Sequence, residues 1–171
     1  IGRNGAGKST LLKLITDALA PTEGTIEVDG DVQALMDAGA GFHPEFTGYE
    51  NIRAALTYQG LTRVKLADAQ RDIEELTELG EFLGQPLKTY SLGMQARLAF
   101  ACATAIQPDL LVVDEILGAG DAYFISKSAE RMRRITDSGA TMLVVSHSLA
   151  QITQLCETAI WLDRGQIVQT G

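Results

Sequence analysis

Little in this chain points across a membrane or toward an oxidising compartment. It has only two cysteines, Cys102 and Cys156, too few for a disulfide framework and without metal-ligand spacing. Both sit in apolar, helical-looking runs and are read as core thiols of a reducing compartment. No apolar run approaches the roughly 20 residues that a membrane-spanning helix needs, and no leader segment is visible. Any membrane role must therefore run through a partner chain. Basic residues are in deficit: 14 Lys and Arg against 22 Asp and Glu leave a net charge of −8. That balance argues against a nucleic-acid partner, whose phosphates want a basic face. The one basic cluster, Arg131, Arg133 and Arg134, is read as a solvated helix face. There is no internal repeat and no low-complexity segment. Against these absences stands a chain of 171 residues, 46% hydrophobic, which suits one domain with a sizeable core.

The plainest chemistry lies at the start. Gly2-Arg3-Asn4-Gly5-Ala6-Gly7-Lys8-Ser9-Thr10 fits G-x-x-x-x-G-K-[ST], the phosphate-binding P-loop. Gly2, Gly5 and Gly7 permit backbone angles and close approaches that a Cβ blocks. Successive N–H groups then form a nest for the β-phosphate of a nucleotide. Ser9 to Ile15 reads as a helix start, whose positive end faces the anion. Lys8 brings a point charge to the β- and γ-phosphates, and the Ser9 hydroxyl is a hard ligand for Mg²⁺.

Period and punctuation give the organisation. A helix is expected over Thr10–Leu19, a turn at Pro21–Gly24, and short strands at Thr25–Val28 and Val32–Leu35. Asn51–Gln59 looks helical. Leu66, Ala69, Ile73, Leu76 and Leu79 recur at helical spacing among charges until Gly80 and Gly84 break the pattern. Leu110–Val113 and Met142–Val145 are continuous apolar runs, as in strands buried on both faces. Ala159–Val168 reads as a hairpin turning at Gly165. The fold class is α/β: a nucleotide-binding core from 1–40 and 109–171, with a helical subdomain inserted over 41–108, together one domain. A P-loop ordinarily follows a buried strand, so the chain is expected to be a fragment truncated at both ends.

The run Leu110–Val113 ends in Asp114-Glu115. Carboxylates at the C-terminal edge of a buried parallel strand stand where α/β folds bind ligands. By themselves they fit a solvated strand end equally well. After a P-loop they fit a division of labour, Asp114 toward Mg²⁺ and its waters and Glu115 toward the attacking water.

Tyr90-Ser91-Leu92-Gly93-Met94, shortly before that strand, resembles the Leu-Ser-Gly-Gly-Gln signature of the ATP-binding cassette family, with Ser and the second Gly kept and Leu92 and Met94 departing. The resemblance covers essentially the whole chain. It implies a P-loop NTPase core, RecA-like with a mostly parallel sheet, that binds ATP and Mg²⁺. It implies that Ser91 and Gly93 reach the γ-phosphate held by a second copy, and Ser91 is also a good helix N-cap. Gly118-Ala119-Gly120-Asp121 is similar to the family's D-loop, which places Asp121 at the nucleotide. His147 is similar to the switch histidine that contacts the γ-phosphate. The adenine-stacking aromatic would lie outside this sequence.

The stretch Gly39–Ile52 is very like a segment of exporters for O-antigen and teichoic-acid polysaccharides, as are Arg97–Phe100 and Val113–Leu117. That resemblance implies an ATPase subunit on the cytoplasmic face of the cell membrane. Its partners would be a second copy and an integral-membrane permease, with polysaccharide handled only indirectly and no nucleic acid. An ATPase of a lipid or drug exporter stays open, and from another class a soluble chromosome-maintenance ATPase. The family's Gln before the helical subdomain falls on Ala38, which has no polar group. The adjacent Asp37 is the candidate replacement at Mg²⁺, against the plain reading of a solvated strand-end acid.

Overall fold

The structure is a computed structural model that describes residues 1–36, 41–114, 121–146 and 148–171. The chain divides into two compact units. One comprises Ile1–Met36, Pro108–Glu115 and Thr136–Gly171, the other Asp37–Gln107 and Ile116–Ile135.

In the first unit, β1 (Val32–Leu35), β2 (Leu110–Asp114) and β3 (Thr141–Val145) form a parallel sheet in that spatial order. Val32 pairs with Leu110, and Leu110 with Thr141. Parallel neighbours require long crossovers, which is why the chain leaves this unit after β1 and again after β2. The central strand carries the load: Leu111, Val112 and Val113 are fully buried, as the apolar run requires. Helix α1 (Lys8–Ile15) lays Leu12 on Val112 and Val145 to make the core. Asp109 fastens the sheet's lower end, accepting from Asp31 N at 2.7 Å and donating its own N–H to Asp31 O at 2.9 Å. Helix α6, Leu149–Leu155, follows β3. Strands β4 (Ile160–Asp163) and β5 (Gln166–Thr170) form the expected antiparallel hairpin, turning through Arg164-Gly165, both at positive φ.

Two expectations for this unit are corrected. Thr25–Val28 forms no strand, and Ile26 and Val28 lie 41% and 39% exposed. Alternation makes a strand only where a neighbour supplies the ladder hydrogen bonds, and no described residue pairs with this segment. Helix α1 stops at Ile15, short of Leu19: the Thr16 hydroxyl bonds back to Leu12 O at 3.0 Å, and Asp17 turns to φ 57°.

The second unit is helical: α2 (Gly48–Tyr58), α3 (Arg63–Thr77) and α4 (Leu92–Ala103), with 3₁₀ turns at Gly80–Gly84 and Leu87–Thr89. Helix α2 starts three residues before the apolar pattern does, because Thr47 and Glu50 form a capping box. Helix α3 ends where Glu78 adopts the left-handed conformation at φ 52°. Ile52, Leu56, Ile73 and Leu98 are fully buried in this unit's core. Helix α5 (Ala122–Asp137) groups with this unit up to Ile135. Its Phe124 meets Phe100 edge-on at 5.8 Å, and Arg131 pairs with Asp72 while donating from Nε to Thr104 O at 3.2 Å. That corrects the reading of Arg131 as a solvated cation, since only 17% of its side chain is exposed.

Candidate nucleotide-binding site

Loop 2–7 is built from both ends of the chain. Ile1 O accepts from Leu162 N at 2.9 Å and Ala6 O from Gly165 N at 2.8 Å, so the β4–β5 hairpin braces the loop. Ala6 is 3% exposed and serves as the loop's anchor. A Cβ on Gly2 would fall on the carbonyl oxygen of Leu162, which leaves only glycine where the loop passes the hairpin. Gly7, at φ 100°, turns the chain into α1 and accepts from Leu11 N at 2.9 Å. Because the residue at the cap is glycine, no side chain caps this helix, and no acid lies in its first turn. The first-turn N–H groups and the positive helix end are thereby free to meet an anion. Lys8 curls back over the loop, donating from Nζ to Gly2 O at 2.8 Å and Arg3 O at 3.1 Å. Ser9 and Thr10 stand exposed on the opening turn.

In the same unit, β2 delivers Asp114, half-buried, to its C-terminal end in register with Val145. The Ser9 hydroxyl and the Asp114 carboxylate are hard oxygen donors of the kind Mg²⁺ takes with waters and phosphates. With an uncapped helix end free of acids, the residues present fit a nucleotide and its metal ion. Glu115, His147 and Asp37 lie outside the described residues. The flanks of His147 are tied down: Ser146 Oγ donates to Gln151 Oε1 at 2.8 Å and accepts from Ser148 N at 3.0 Å.

Ser91, Gly93 and Asp121 belong to the helical unit. Ser91 caps α4, its Oγ accepting from Met94 N at 3.2 Å, so the exposed signature serine begins a helix as its residue type predicts. Asp121 is engaged at home. It accepts from Phe124 N at 2.9 Å and pairs with Arg97 at 2.7 Å. The Phe124 hydrogen bond first, and Arg97 with it, hold the Asp121 carboxyl below its usual range. The sequence motifs do not tell the bracing: Gly165 reads only as a hairpin turn, Asn51 and Tyr90 only as members of their segments, and Leu162 only as a hairpin residue. A buried Asn beside Ile52 in an apolar helix stripe was the one available signal.

The matching family model is that of the ABC transporter, over residues 1–118. The chain belongs to this family and is one of its ATP-binding cassettes, an ATPase domain. Among its relatives, an O-antigen export system ATP-binding protein of Myxococcus xanthus is 46% identical over the whole chain, which spans 39% of that protein. A protein of the same description from Klebsiella pneumoniae is 40% identical, with 70% of its length covered. A teichoic acids export ATP-binding protein of Lactococcus lactis is 42% identical, with 36% covered. The fold agrees with a solved ATP-binding subunit of an ABC transporter at TM-score 0.86 and 26% identity, over 100% of this chain and 76% of that one. It agrees as a fold with a dimeric post-hydrolysis cassette bound to ADP and Pi, at TM-score 0.83 and 23% identity, over 99% of this chain and 82% of that one.

Proposed function

We propose that this chain is the ATP-hydrolysing part of an exporter for a lipid-linked polysaccharide, acting at the cytoplasmic face of the membrane through a permease subunit. The observation that carries the nucleotide reading is the uncapped start of α1 behind Gly7, with Lys8 folded over it. The export reading rests on relatives named for O-antigen and for teichoic acids export, each 40% identical or more. Among the described residues no helix is long and apolar enough to cross a membrane.

The residues divide the work as follows. Loop N–H groups from Arg3, Asn4 and Gly5, and those of Lys8, Ser9 and Thr10, bind the phosphates, with Ala6, whose N–H is held by Arg3 O at 3.1 Å, keeping the loop's curve. Lys8 exchanges its two carbonyl partners for phosphate oxygens. Ser9 and Asp114 hold Mg²⁺, with Asp37 supplying the oxygen that Ala38 lacks; when bound, the ion neutralises charge on the β- and γ-phosphates. Glu115 accepts a proton from the water whose oxygen attacks the γ-phosphorus as the bond to the bridging oxygen breaks, and His147 hydrogen-bonds the γ-phosphate. Ser91 and Gly93, with the start of α4, close over the γ-phosphate of a second copy, and Asp121 links the two sites. Nucleotide thus favours a closed pair and hydrolysis releases it.

The test is Lys8→Ala in the full-length protein in its own cell. Lipid-linked glycan should accumulate inside while surface glycan disappears. Surface glycan at the normal level would contradict the assignment.

A further inference from the structure

Two segments of the helical unit are zipped together directly ahead of Ser91. Leu87 N donates to Phe46 O at 2.9 Å, Lys88 N to Pro44 O at 2.9 Å and Gly48 N to Gln85 O at 3.3 Å. Thr47 and Pro86 form an antiparallel bridge, and Lys88 pairs with Glu45 at 2.7 Å. Asn51 pins the first segment. It is 1% exposed. Its Oδ1 accepts from His43 N at 2.8 Å, and its Nδ2 donates to the carbonyls of His43, Phe46 and Thr47, each at 3.1 Å. A buried amide so fully used is expensive to disturb.

Tyr90 ends the second segment. It is 6% exposed, and its hydroxyl donates to Phe82 O at 2.6 Å. The phenol lies against the first residue of α2: a Cβ on Gly48 would fall on Tyr90 Oη and come within 3.0 Å of Leu83 Cα. Tyr90 O in turn accepts from Gln95 Nε2 at 3.3 Å, one turn into α4. The residue immediately after this strut is Ser91.

We propose that Tyr90 and Asn51 are positioning residues for the signature, a clasp that fixes Ser91 and the start of α4 for the second copy's nucleotide without touching that nucleotide. This rests on the reading that Ser91 completes the other copy's site. The clasp joins segment 43–47 to the signature, so a displacement of 43–47 is delivered to Ser91 through hydrogen bonds rather than through the hydrophobic core.

The experiment uses full-length heterodimers isolated by two different tags, with one live site each. In the first, Tyr90→Phe and Lys8→Ala share a chain and the partner is wild type, so the live site uses the altered signature. In the second, Tyr90→Phe sits on the chain with the live P-loop and Lys8→Ala on the other, so the live site uses an intact signature. Losing one buried hydrogen bond should lower kcat about fivefold in the first arrangement and leave the second equal to its Lys8→Ala control, with KM for ATP unchanged in both. Gly48→Ala should lower the first arrangement at least as much as Tyr90→Phe, and the double variant should lose less than the sum, because removing the hydroxyl relieves the tightest of the new methyl group's contacts, leaving those with Leu83. Ser91→Arg run through both arrangements is the reference. If Ser91→Arg segregates with the signature donor and Tyr90→Phe lowers both arrangements alike, or neither, the clasp is overturned and the composite site stands. If Ser91→Arg itself fails to segregate, both readings fall.

Discussion

Gly7 and Lys8 divide the P-loop's problem between them: one leaves a helix end bare, the other supplies a cation that is parked on carbonyl oxygens. Lys8→Ala should therefore weaken ATP binding about ten- to a hundredfold, the worth of one or two charged hydrogen bonds, as read by nucleotide titration. Glu115→Gln should leave that affinity nearly intact while turnover falls by about 10²–10⁴, because a general base acts in the transition state; near-normal hydrolysis would remove Glu115 from its role. Gly2→Ala forces a methyl group onto the Leu162 carbonyl and should cost about 1–3 kcal/mol in denaturant unfolding. Cys102 is a core thiol whose pKa burial pushes up to about 12. The roles assigned to Lys8 and Ser9 come from their neighbours in sequence, Gly7 before and the helix start after. Those of Leu162 and Gly165 do not, since a hairpin at the far end of the chain braces the loop through backbone atoms that any residue type supplies.

Side-chain caps decide where α2 and α4 begin, and a cap is the part of a helix that sequence reveals best. Ser91 was legible as the start of α4. The Thr47–Glu50 box lies ahead of the apolar pattern, so the pattern alone starts α2 three residues late. Thr25–Val28 failed for the opposite reason, since alternation describes a strand's faces but not who pairs with it. Three carboxyls of this unit are held below their usual range. For Glu50 the largest cause is the Thr47 backbone N–H, for Glu78 the hydrogen bond from Lys127, and for Asp121 the N–H of Phe124. A depressed carboxylate stabilises the fold above its unfolded pKa, and that contribution is lost as pH falls through the folded value. Thermal melting should therefore be flat near neutrality and fall below the ordinary glutamate value of 4.5. Glu50→Gln keeps a side chain able to complete the box but removes its titration, so its acid loss should be smaller than wild type's. An equal loss would show that the box contributes nothing to acid sensitivity.

At the scale of the whole molecule, the apolar runs along the chain told correctly that the core is a parallel sheet with helices. They did not tell which helices group together, because an amphipathic face shows that a helix packs and not on what. Phe124 against Phe100 and Arg131 on Asp72 are long-range pairings that no local period encodes. The two units also divide the residues proposed for the site, with the P-loop and Asp114 in one and Ser91, Gly93 and Asp121 in the other. The central claim is that a working site takes its P-loop from one copy and its signature from another. The direct measurement is ATP turnover on mixing two full-length variants, Ser91→Arg and Lys8→Ala, each inactive by itself. The account predicts that activity appears on mixing, from the one site in each mixed pair that has both an intact P-loop and an intact signature. Mixtures as inactive as their components, with mixed pairs shown to form, would contradict it.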